Sequence, residues 1–176
     1  AAVMLALPLF AAALAHTPHD ATVFVALDPT DPAPRVLTGF SRGRYWYHLW
    51  SDDGGWAWQA HMASGFGEGV RDGAWLDADT HALATDGSGL ILSGDGRAWA
   101  PAEDIPGDEV LEVVVSAPDG RGVALAAGER VYRSADAGAS WEQIPVPLTR
   151  AAVDVAWSPD FAADDRVCLA GGDGQV

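Results

Sequence analysis

Lysine is missing from this chain. All ten basic residues are arginine, set against 25 acidic ones, so the formal net charge is −15 and most of the surface would repel a phosphate backbone. Nucleic acid is therefore excluded as an expected partner. Cysteine is reduced to Cys168, which rules out an intrachain disulfide. In the short apolar run Arg166-Val167-Cys168-Leu169-Ala170 a lone thiol is expected to be a small buried hydrophobe. A sustained 3.6-residue periodicity is also lacking, so long helices are not expected. The apolar stretch at residues 1–15 is shorter than the roughly twenty residues of a membrane span, and no span is expected. It ends in Ala-Leu-Ala, as a secretory leader would, but has neither a basic n-region nor an initial Met. Localisation stays open, with an extracytoplasmic site as one outcome.

What is present is punctuation. Twenty glycines and 11 prolines are spread along 176 residues that are 49% hydrophobic, the pattern of many short strands around one core. An internal repeat organises them. Ser51-Asp52-Asp53-Gly54-Gly55-Trp56-Ala57-Trp58 and Ser134-Ala135-Asp136-Ala137-Gly138-Ala139-Ser140-Trp141 both read S-x-D-x-G-x-x-W. Ser93-Gly94-Asp95-Gly96-Arg97-Ala98-Trp99 is the same string with one residue removed between Asp and Gly. The closing tryptophans Trp58, Trp99 and Trp141 lie 41 and 42 residues apart, within the roughly 40–50 residues of a four-stranded propeller blade. An apolar strand precedes each box: Tyr47-His48-Leu49-Trp50, Leu90-Ile91-Leu92 and Val131-Tyr132-Arg133.

The motif and its spacing resemble the Asp-box, or BNR, repeats of sialidase-like propellers. Similar repeats occur in sortilin-type receptors, some xyloglucan-degrading glycosidases and the photosystem II assembly-factor family. The resemblance implies a hairpin between the third and fourth strands of each blade, with a structural role for Ser51, Asp53, Gly55, Trp58, Ser93, Asp95, Gly96, Trp99, Ser134, Asp136, Gly138 and Trp141. The chemistry agrees: Asp accepts backbone N–H bonds, Gly takes angles that other residues resist, and Trp covers the turn.

The expected fold is all-β, a β-propeller of four-stranded antiparallel blades forming one domain over residues 1–176. Blades are expected at about 10–60, 73–101, 109–144 and 151–176, the last incomplete. That is about three and a half blades, fewer than the four to eight that close a propeller, so the chain reads as a fragment whose open edges favour self-association. Strands of the third blade are expected near 109–116, 123–128, 130–134 and 140–144. Residues 10–16 read as a blade strand by alignment of Ala11–Ala15 before Pro18 with Ala152–Ala156 before Pro159, in competition with the leader reading.

Functional candidates are few. An enlarged loop in the first blade, from Asp28 through Arg35 to Arg42 and Arg44 and on to Tyr45, Trp46 and Tyr47, pairs guanidinium groups with aromatics, a combination suited to a carboxylate or sugar. Its alternative is a Pro-stiffened surface loop. A sialidase centre would need three convergent arginines, a Tyr activated by a Glu, and an Asp acid/base. The F/Y-R-I-P signature of the first arginine is absent, with Val131-Tyr132-Arg133-Ser134 the nearest string, so no catalytic residue is assigned. His16, His19 and Asp20 lack the further ligands a metal site needs, and neither metal nor cofactor is expected. Asp160, Asp164 and Asp165 read as turn formers. The expectation is a binding or scaffold module for a protein or carbohydrate ligand. A sialidase-like glycoside hydrolase is the alternative, and an assembly factor of a photosynthetic membrane complex is a third reading.

Overall fold

The computed structural model describes residues 21–28, 35–42, 45–63, 69–119 and 121–172. In chain order the elements are β1 (Ala21–Leu27), β2 (Val36–Arg42), β3 (Tyr45–Ser51), β4 (Gln59–Ala63), β5 (Val70–Trp75), β6 (His81–Thr85), β7 (Leu90–Ser93), β8 (Ala100–Pro101), β9 (Leu111–Ser116), β10 (Ala124–Gly128), β11 (Val131–Ser134), β12 (Glu142–Ile144), β13 (Ala152–Trp157), α1 (Phe161–Asp164) and β14 (Val167–Gly171). They form three antiparallel four-stranded meanders, β1 to β4, β5 to β8 and β9 to β12, and a two-stranded sheet of β13 and β14.

Successive sheets pack face to face, and their first strands β1, β5, β9 and β13 lie side by side. These strands begin at Ala21, Val70, Leu111 and Ala152, the last three at intervals of 41 residues. Three apolar layers hold the stack. Phe24, Leu37 and Trp50 of the first sheet meet Val70, Leu83 and Ile91 of the second. Ala82, Ala84 and Leu90 meet Leu111, Val114 and Tyr132. Leu125 and Val131 meet Ala152 and Val155. A sheet covered on both sides must be apolar on both sides, and β6 and β10 accordingly read His-Ala-Leu-Ala-Thr and Ala-Leu-Ala-Ala-Gly with every residue buried.

Three sequence expectations need correction. The stretch from Asp28 to Tyr45 is not one loop, because β2 runs through it, paired with β1 and with β3 along its length. Its polar residues and its Gly39 disguise the strand. That glycine is required by packing, since a Cβ there would overlap the Phe24 ring. The first strand of the first sheet is Ala21–Leu27, so the proline two residues past the strand is Pro29 by sequence, matching Pro118 and Pro159, and not Pro18. Residues 10–16 lie outside the described residues. Cys168 is exposed, contrary to the buried thiol expected, because it pairs with Ala156 in a two-stranded sheet.

Strand alternation sorts the connections into two ends. The C-terminal ends of the first strands β1, β5, β9 and β13 share an end with the turns that carry the Ser-x-Asp motif. The C-terminal ends of the second strands β2, β6 and β10 lie at the opposite end.

Candidate functional site

The three Ser-x-Asp turns are built from local hydrogen bonds. Ser51 Oγ accepts the Gly55 N–H at 2.8 Å and donates to Asp53 Oδ1, which also accepts the N–H groups of Trp56 and Ala57 at 2.9 and 2.8 Å. Ser93 Oγ accepts the Gly96 N–H at 2.8 Å, and Asp95 Oδ1 accepts those of Arg97 and Ala98, each at 2.8 Å. Ser134 Oγ accepts the Gly138 N–H at 2.9 Å, and Asp136 Oδ1 and Oδ2 take the N–H and the hydroxyl of Ser140. These bonds hold all three carboxyls below their ordinary value of 3.8, led by the Ala57 N–H at Asp53, the Ala98 N–H at Asp95 and the Ser140 hydroxyl at Asp136. The carboxylates are anionic turn formers.

The tryptophans differ. Trp141 is 7% exposed in the layer between the second and third sheets, Trp99 packs on the layer between the first and second, and Trp58 is 44% exposed. Each of the two covered rings packs toward the preceding sheet, and among the described residues no sheet precedes the first. Trp58 and Trp141 donate their indole N–H to the carbonyls of Gly55 and Gly138. In the shortened second turn the matching carbonyl, Gly96 O, accepts instead from His48 Nε2 of the first sheet, and Trp99 Nε1 is buried without a partner.

That crossing belongs to a buried aromatic cluster between the first two sheets. His48 stacks on Trp50 at 5.7 Å between ring centroids, Trp99 meets His48 edge-on at 5.0 Å, and Trp75 meets His81 edge-on at 4.0 Å. Burial, with help from His48 and Arg35, lowers the His81 pKa to about 4, so its imidazole is neutral at neutral pH. Among the described residues no group of three or more His, Cys, Asp or Glu is placed to hold a metal ion. His16, His19 and Asp20 lie outside them.

Of the arginines and aromatics singled out in the sequence, Arg35 stands apart from Arg42 and Tyr45. Arg35 is at the box end and Arg42 seven strand residues away, at the opposite end beside its register partner Tyr45, about 23 Å off at the rise of an extended strand. Trp46 and Tyr47 follow Tyr45 in β3, and Arg44 lies outside the described residues. Arg35 instead clasps two sheets together. It is anchored by Asp28 through Nε at 2.8 Å, donates to the carbonyl of Ala78, and places its guanidinium 4.3 Å from the Trp75 ring centroid. The device recurs two sheets later, where Arg121 is anchored by Asp119, donates to Phe161 O at 3.2 Å and Asp165 Oδ1 at 3.0 Å, and lies 4.9 Å over the Phe161 ring. Asp164 and Asp165 accordingly serve the turn: Asp164 accepts the Ser158 hydroxyl and the Arg166 N–H, and Asp165 takes a left-handed φ of 51°.

Two further carboxyls escaped the sequence reading. Asp72 of β5 accepts the Val114 N–H of β9 at 3.0 Å, and burial pushes its pKa up to about 6. Glu109, 7% exposed, accepts from Arg130 at 2.6 Å and from the Tyr132 hydroxyl at 3.4 Å. This is a Tyr–Glu pair of the kind a sialidase centre uses, but Tyr132 is 2% exposed and packed in the core between two sheets. An open groove of about 390 Å³ lies nearby, lined by residues 129–131 and 143–148. No helix among the described residues is long and apolar enough to cross a membrane.

No family model matches the chain, and no curated protein matches it in sequence. Solved structures do match. The GH74 enzyme of Niastella koreensis aligns over 87% of this chain and 26% of its own, with a TM-score of 0.64 and 18% identity. YCF48 bound to a D1 peptide covers 80% of this chain and 46% of its own, at a TM-score of 0.56 and 15% identity. YCF48 from Cyanidioschyzon merolae covers 88% and 49%, at a TM-score of 0.56 and 22% identity. The described sheets are blades of a β-propeller. The chain spans less than half the length of each of these propellers, and at such identities the likeness is one of fold.

Proposed function

We propose that the chain belongs to an Asp-box propeller of the sialidase superfamily that works as a non-catalytic binding module for a protein partner. The observation that carries this reading is the employment of the turn carboxylates: Asp53, Asp95 and Asp136 each accept two or more turn hydrogen bonds, which suits scaffolding and not proton transfer. The propeller likeness to YCF48, one structure of which holds a D1 peptide, supports a peptide as the kind of ligand. An assembly-factor role in a photosynthetic complex is a narrower form of the same chemistry.

The enzyme reading has one observation in its favour, the TM-score of 0.64 with a GH74 enzyme. One experiment separates the two. The chain is incubated with xyloglucan oligosaccharides and sialyllactose while new reducing ends and free sialic acid are followed, and in parallel is titrated against an array of defined peptides. Peptide binding without turnover is expected. Turnover that survives purification and is lost on replacing a carboxylate of this chain would overturn the proposal.

A further inference from the structure

The turn between β3 and β4 carries an anomaly that folding does not require. Trp56 is 80% exposed, the most exposed large hydrophobic side chain among the described residues. Exposure of Trp58 on the same turn has a structural reason, because its counterparts Trp99 and Trp141 pack toward a preceding sheet. Trp56 has no such reason. The matching residues of the other two turns are Arg97 and Ala139, and both are exposed where a preceding sheet is in place. The turn geometry uses only the backbone of this residue, whose N–H donates to Asp53. A solvent-facing indole at a position that takes Arg and Ala in the other two turns is available for contact, and Trp is enriched among the residues that anchor interfaces.

The surroundings select the partner's chemistry. Asp52 is exposed on this turn, Asp53 is anionic there, and no arginine lies between Ser51 and Trp58. The indole face is the best aromatic acceptor for a cation, and a guanidinium can stack on it while donating to a carboxylate. The chain's charge of −15 adds long-range attraction for a basic partner. We infer that the first Ser-x-Asp turn docks an arginine- or lysine-bearing segment of a protein partner, with Trp56 as the stacking surface and Asp52 and Asp53 as its anionic rim. The third turn offers no ring at this position, and the second presents Arg97, which repels a cation. The site is confined to one blade. It rests on the binding-module reading and adds the partner's charge and the turn that meets it.

The test is an NMR titration of the 176-residue chain, labelled with nitrogen-15, against an acetylated Gly-Arg-Gly-Arg-Gly peptide and its citrulline analogue, which keeps the shape and removes the charge. The indole N–H resonance missing from Trp56→Ala is expected to move with the arginine peptide and to stay in place with the citrulline one. Trp56→Ala is expected to weaken the arginine peptide by about twofold to thirtyfold, the range of a cation–π contact, and Asp52→Asn to weaken it further as salt is lowered. Trp56→Phe, which keeps a weaker ring, replaces the alanine variant if the latter melts lower than the parent. Equal binding of the citrulline peptide, unchanged affinity in both Trp56 variants, or Trp56-dependent binding of cellohexaose with no response to the arginine peptide would overturn the inference. None of these bears on glycoside turnover, which decides the binding-module reading separately.

Discussion

At the scale of single residues, the buried Ser of each turn is expected to contribute more to stability than the more conspicuous, exposed Asp. Ser134 is 1% exposed and its Oγ is the acceptor for the Gly138 N–H, whereas Asp136 makes its bonds at the solvent boundary. Ser134→Ala is expected to leave a buried N–H without an acceptor and to cost about 1–3 kcal/mol, measured as a shift of the urea midpoint at unchanged slope. A midpoint within error of the parent would show that water satisfies the turn. The carboxylates add a pH dependence of known sign. Their pKa values are lower folded than unfolded, so their contribution is present above the ordinary 3.8 and fades as acid titrates the folded form. Residue types in the turns could be read from sequence because each bond spans four residues or fewer. The arginine clasps could not, since Arg35 meets Ala78 43 residues away and Arg121 meets Asp165 44 away, with nothing local to mark either pairing.

At the scale of elements, the joint between β5 and β9 is held by a side chain that works against itself. Asp72 accepts the Val114 N–H, yet its pKa of about 6 shows that burial disfavours its charge. A carboxyl whose folded pKa lies above the unfolded value costs nothing well below pH 3.8, where both states are protonated; the cost grows as pH rises from 3.8 to about 6 and is constant above that. Asp72→Asn keeps an acceptor oxygen and removes the charge. The variant is expected to melt like the parent near pH 3.8 and higher than it above pH 6, the gap opening between those values. His81 titrates with the opposite sign, losing stability as pH falls from 6.5 toward 4, but it is common to both proteins and cancels in the difference. A lower melting point for the variant at pH 7.5 would mean that the charge on Asp72 is stabilising. Element limits were legible where apolar runs sit between turn signals: the third blade's strands, expected near 109–116, 123–128, 130–134 and 140–144, lie at Leu111–Ser116, Ala124–Gly128, Val131–Ser134 and Glu142–Ile144. Legibility failed at β2, whose sequence Val-Leu-Thr-Gly-Phe-Ser-Arg carries a glycine for a reason that lies in another strand, the Phe24 ring. The grouping of Arg35 with Arg42 failed with it.

At the scale of the whole molecule, the stack of sheets is quasi-one-dimensional, each held by its neighbours through one apolar layer, so the faces at the two ends of the described stack behave unlike the internal ones. Alternation along β1 sends Phe24 into the layer with the second sheet and leaves Val25 and Leu27 on the other face at 65% and 61% exposure, with Val23 at 36% and Trp58 at 44%. In the second and third sheets the corresponding face is buried by the sheet before it. A row of apolar side chains on a sheet face is an association surface, and a charge of −15 opposes association only over distances that salt screens. The 176-residue chain is therefore expected to self-associate in proportion to concentration and salt, as read by size exclusion with light scattering. Leu27→Asp and Val25→Asp, at exposed positions, are expected to shift the population toward monomer with little change in the melting temperature of the dilute protein. Because the internal layers do not include these two side chains, a large loss of thermal stability in either variant would place them in the core. A parent chain that stayed monomeric at high salt and high concentration would show that this face is satisfied without a second copy, and the apolar row would then need another account.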